Sequence, residues 1–186
     1  MRRTCAAATL LTLTAALALP SASTAASKEI RITKSKTIAG VGDFRPNSNA
    51  YVGAAASVFG APTAVKASGS AGCDVRWSEL GLRITFANFG APDRSACEAD
   101  IGRAQVIQIG GAKAAGWHTN RGLYIGAKRS TMFKKYDQRR TGPGRYSLVR
   151  RASPFGPPGT IQEILGARIS NGKVSSFVVS PFAAGD

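Results

Sequence analysis

The one imidazole in the chain is His118, beside Trp117. A histidine base needs a nucleophile within hydrogen-bond reach, and Gly-x-Ser-x-Gly, His-Glu-x-x-His and the phosphate-cradling Gly-x-x-x-x-Gly-Lys-Ser/Thr are all absent from the sequence. His118 therefore reads as a strand residue with a satisfied ring. Of the ten acids, only Glu98 and Asp100 stand close together, at i and i+2 in a loop rich in glycine and serine. Solvent exposure explains such a pair more simply than a two-carboxylate hydrolase does. Zinc and calcium ligand spacings are missing, and Asn171-Gly172-Lys173 is turn chemistry. No catalytic residue, metal ligand or cofactor is expected.

Three cysteines remain to be placed, Cys5, Cys73 and Cys97. Arg2 and Arg3 precede an apolar run over residues 6–19 and then small residues as far as Ala26, the pattern of a secretory signal peptide over residues 1–26. The run is shorter than the roughly 20 residues that a spanning helix requires. Cleavage near Ala26 removes Cys5 and leaves residues 27–186, roughly 160 residues and one domain on the length prior. Cys73 and Cys97 then form an even pair in an exported chain. That reads as a disulfide, with two free thiols as the alternative.

Charge separates the remaining functions. The formal net charge is +15, and an exported protein this basic adheres to anionic polymers. Within residues 119–151 ten cations face the single acid Asp137. Lys128, Arg129, Lys134, Lys135, Arg139, Arg140 and Arg145 are the candidate polyanion-binding residues, with a solvated, solubilising face as the plainer reading.

The elements that must hold these cations follow from periodicity. Residues 119–137 read as a strand end (Leu123, Tyr124, Ile125), a glycine turn at Gly126, and a short helix opening at Ser130. Met132, Phe133 and Tyr136 form its apolar face, and Lys134 and Lys135 face water. Arg139 and Arg140 fall on the loop after it. A weaker version occurs earlier: a glycine turn at Gly40 and Gly42, then a helix from about Ser48 to Phe59, in which Gly53 is a weakness. Ile30 and Ile32 suit an edge strand or an ordering tail, and residues 37–44 have no regular pattern. Residues 73–77 and 82–86 alternate and form a hairpin through residues 78–81. Residues 105–109, 146–149, 161–169 and 174–179 read as strands, the last two joined by Asn171-Gly172, a strong hairpin signal. The fold class is α+β: two helix-plus-antiparallel-strand repeats, about 37–109 and 117–182, in one small domain with a mainly antiparallel sheet.

Thr119, Gly122-Leu123, Gly126 and the aromatic end of that helix resemble the uncharacterised secreted actinobacterial proteins that carry a Thr-x-x-Gly-Leu-x-x-Gly module. Phe59-Gly60-x-Pro62, Cys73, Trp77, Gly81-Leu82, Phe86 and Cys97 resemble the first half of the same family. More loosely, the repeated helix and hairpin are similar to the tandem folds of beta-lactamase-inhibitor type and of outer-membrane assembly lipoproteins. The chain departs from the family at Ala127-Lys128, where an acidic and a small polar residue are usual. The resemblance implies no activity. The expected protein is a secreted or wall-associated monomer, without a membrane span after cleavage and without specific nucleic-acid binding. Its expected ligand is an anionic cell-wall polymer. The alternative is a protein-binding module or inhibitor of an extracellular hydrolase that uses exposed aromatics such as Phe155.

Overall fold

The computed structural model describes residues 27–46, 49–69, 71–90, 93–153 and 157–180. The signal segment, the start expected at Ser48 for the first helix, and Phe155 lie outside the described residues. In chain order the elements are β1 (Glu29–Ile32), β2 (Ile38–Val41), α1 (Val52–Phe59), β3 (Ala64–Ser68), β4 (Gly72–Trp77), β5 (Leu82–Ala87), β6 (Arg103–Gly110), β7 (His118–Thr119), α2 (Arg129–Lys135), β8 (Arg139–Gly142), β9 (Arg145–Ala152), β10 (Ile161–Ser170) and β11 (Lys173–Val179). Eight strands make one sheet in the order β3-β4-β5-β6-β11-β10-β9-β8, antiparallel at every step. A smaller sheet runs β2-β1-β7, and its β1–β7 pairing is parallel. The domain is thus mainly antiparallel, as expected, but richer in strand.

Alternation along the strands separates the two faces of the large sheet. Val75, Trp77, Leu82, Ile84, Phe86, Ile107, Ile109, Phe177 and Val179 are buried on one face with Val52 and Ala55 of α1, Met132 of α2, and Ile30 and Val41 of the small sheet. Both helices therefore pack on that face, and each precedes four strands: α1 leads into β3–β6, α2 into β8–β11. The two sets meet where β6 pairs with β11.

Three sequence expectations need correction. β1 is the centre of the small sheet, not an edge or a tail; its second neighbour, β7, has two residues, too few to show a period. Residues 37–44 supply β2, whose Ile38 and Val41 are buried. Arg139 and Arg140 lie on the edge strand β8 and not in a loop. Charged residues on an edge strand block pairing with other chains, and the same charge hides the strand from a search for apolar alternation. The other edge, β3, is exposed along its whole length, so its Ala-Val-Lys-Ala-Ser sequence carries no alternation between a buried and an open face.

Two local features tie the first helix. Cys73 of β4, beneath the helix, is bonded to Cys97, with their Cα atoms 5.1 Å apart, and this ties the segment 93–102 to β4. The Gly53 N–H donates to the Ala99 carbonyl at 2.9 Å. A Cβ on Gly53 would stand 2.9 Å from that oxygen, so the glycine that weakens the helix in sequence is what lets the loop close on it. At the far end of the sheet, Asn171 and Gly172 take φ values of 50° and 71°, the two-residue turn expected between β10 and β11.

Candidate polyanion-binding surface

Residues 119–127 form the base on which the basic surface is built. Thr119, Leu123 and Ala127 are fully buried, and the Thr119 N–H donates to the Leu123 carbonyl at 2.8 Å. The turn then docks on the β10–β11 hairpin: Gly126 N–H donates to Val174 O at 2.8 Å, and Arg129 N–H donates to Gly172 O at 2.9 Å. Met132 and Tyr136, four apart, fall on the buried face of α2. The Tyr136 hydroxyl donates to Thr119 Oγ1 at 2.8 Å, and burial raises its pKa above the usual phenol value. Phe133 was expected on the same face but is 40% exposed. It instead meets Tyr146 edge-on, with centroids 5.7 Å apart.

The structure scatters the seven candidate cations over both faces of the sheet. Lys128 precedes α2 and forms a bridge with Lys173. The Arg129 guanidinium lies 4.8 Å over the Phe133 ring and 5.4 Å from that of Tyr146, so part of its role is packing. Lys134 is exposed at the end of α2. Lys135 Nζ donates to the Arg121 carbonyl at 2.9 Å and so holds the turn. Arg139 and Arg140 are exposed on β8. Arg145 points to the sheet face away from the helices, since its neighbour Tyr146 points to α2. Among the described residues none of the seven forms an ion pair.

Arg139 belongs to a cleft of about 370 Å³ that also takes Lys36, Arg121, Arg150 and Arg151. Its one acid is Asp137, an exposed residue 3.7 Å from Arg150. Arg121, Arg150 and Arg151 are visible in sequence as part of the charge run. Lys36 is not, because the turn between β1 and β2 brings it from far along the chain. His118, Glu98 and Asp100 each have a partner within the fold. His118 Nδ1 is 3.0 Å from Gly116 O. Glu98 and Asp100 both bind Arg94, at 2.6 and 2.9 Å, and the bond from Arg94 keeps Glu98 below the usual carboxylate range. Among the described residues no cluster of three metal-ligating side chains occurs, and no helix is long and apolar enough to cross a membrane.

What this surface offers is an excess of exposed positive charge over its one acid, Asp137, in a shallow cleft rather than an enclosed pocket. Comparison with family models, with curated proteins and with solved structures finds no match.

Proposed function

We propose that this is a secreted binding protein that holds anionic polymers of the cell envelope through the basic surface of its second half. The carrying observation is that Lys128, Arg129, Lys134, Lys135, Arg139, Arg140 and Arg145 form no ion pair among the described residues. Unpaired cations on a soluble chain raise its self-repulsion, which bound counter-charge relieves. The domain is a tandem of two helix-and-four-strand units joined at β6 and β11, a reading supported by the identical order of elements on the two sides. The same order of elements fits common ancestry with the secreted actinobacterial module that the chain resembles.

Exposed charges are screened over about 8 Å at physiological ionic strength, so retention on isolated cell walls should fall steeply with added salt. Replacing Lys134, Arg139, Arg140 and Arg151 together by glutamine should remove most of that retention. Lys135 is spared because of its bond to Arg121. Retention of the parent that is indifferent to salt, or release only together with one stoichiometric protein, would overturn this function.

A further inference from the structure

The sheet face turned away from the helices carries its own charge pattern. Across β4 and β5, Arg76 stands directly opposite Arg83; across β9 and β10, Arg145 stands directly opposite Arg168. Like charges at directly opposed positions destabilise a sheet, and here one such pair lies on each side of the β6–β11 junction. The first pair is partly compensated, because Arg83 Nη2 binds Asp74 Oδ2 at 2.6 Å. Arg145 and Arg168 have no carboxylate partner among the described residues.

Between the two pairs the face is low. Gln108, Gly110, Ser176 and Val178 line its middle, and together with Arg76, Arg83, Lys113, Arg145 and Arg168 they bound a cleft of about 440 Å³ with no acid in its wall. From β5 to β10 is three interstrand spacings, about 14 Å. The described exposed large hydrophobics, Val65, Phe89, Tyr124, Phe133 and Ile161, all lie outside the wall. Protein interfaces are anchored by aromatic and apolar side chains that the free surface exposes; here Leu82, Ile109 and Phe177 are already buried in the fold and Val178 is half-buried. The cleft presents guanidinium forks, whose geometry matches phosphate and carboxylate.

We infer that this cleft seats a short segment of a chain-like phosphate or carboxylate polymer. The segment would lie across the β6–β11 junction, with its anionic groups on Arg76 at one side and on Arg145 and Arg168 at the other. The inference rests on the polyanion reading above and places a second, shaped site on the face opposite α2.

The test uses the full secreted protein and two probes, short-chain inorganic polyphosphate and short oligogalacturonate, in titration calorimetry at physiological salt. Replacing Arg76, Arg145 and Arg168 by glutamine should weaken whichever probe the parent binds by about tenfold or more. The triple variant should melt no lower than the parent without ligand, and should lose the rise in melting temperature that the probe gives the parent. A charge-matched variant with glutamine at Lys34, Arg45 and Lys66, exposed residues outside this cleft, should keep parental affinity. The probe that binds identifies the anionic group. If the triple variant binds as tightly as the parent, the cleft is not the site and the polyanion reading stands. If the parent binds neither probe, that reading fails and takes the site with it. A folded protein whose salt-resistant binding is lost in the triple variant would also overturn the inference, by assigning the cleft to a protein.

Discussion

The two halves of the large sheet are built in the same order but treat charge in opposite ways. In the first half Arg83 is bound by Asp74, Arg94 by Glu98 and Asp100, and Lys113 by Glu79. In the second half the described ion pairs reduce to Arg150 with Asp137 at 3.7 Å. The means of holding the helix differ too. α1 is gripped by a disulfide loop, whereas α2 is held by the buried Tyr136–Thr119 bond and by a turn docked on β10–β11. Acids in the first half therefore hold Arg83, Arg94 and Lys113, whereas Arg76 there, like Arg145 and Arg168 in the second half, is held by no carboxylate among the described residues.

The sharpest way to break this contrast is to remove the covalent tie. Replacing Cys73 and Cys97 by serine should cost roughly 3.5 kcal/mol on the chain-entropy estimate for a loop of this length. Denaturant unfolding of the oxidised parent against the variant reads the loss, and mass spectrometry of the unreduced protein should recover the two cysteines as one cross-link. Gly53→Ala comes next. In a free helix this change stabilises by roughly 1 kcal/mol, but here the new Cβ meets Ala99 O at 2.9 Å. Overpacking should reverse the sign, to a loss of about 1–3 kcal/mol. A higher melting temperature would show that the loop does not close on α1.

On the other side, Tyr136→Phe deletes the hydroxyl that donates to Thr119. Thr119 Oγ1 still accepts the Leu123 N–H at 3.2 Å, so it is not left wholly unsatisfied. The loss should be about 1 kcal/mol, with no change in polyanion retention. A fall in retention larger than the fall in folded fraction would mean that α2 positions the ligand as well as the fold.

How much of this was legible in the sequence follows from which signals are local. The β10–β11 turn, the 73–86 hairpin and the Cys73–Cys97 bond are each set by near neighbours or by the one other cysteine among the described residues, and all are present. β3 and β8 carry no apolar period, since every residue of β3 is exposed and β8 opens with two exposed arginines. The candidate site was legible as a run of charge but not as a surface. Strand alternation sends Arg145 to one face while Met132 and Tyr136 fix α2 on the other, and Lys36, Arg76 and Arg168 arrive by pairings that lie far apart in sequence.

The smallest expected effect concerns the Arg83–Asp74 ion pair of the first half. The bond from Arg83 holds the Asp74 carboxyl below the usual aspartate range, and the Thr85 hydroxyl adds to this. A carboxylate whose pKa is lower folded than unfolded contributes its stability in full above the unfolded value, about 3.9. That contribution is lost as the pH falls below this value and through the lower folded one. Asp74→Asn should therefore be less stable than the parent at neutral pH, by about 1 kcal/mol or less for a pair near the surface. The two should converge in acid, as the parent protonates. Arg168→Gln, run through the same pH series of thermal melts, should show no such convergence, because it removes a cation that no carboxylate holds. A gap between Asp74→Asn and parent that stays constant into acid would mean that Asp74 acts through packing and not through its charge. Asp74→Asn also frees Arg83 for the cleft that both pairs of arginines border, so the variant that weakens the fold should bind the polyanion probe more tightly than the parent does.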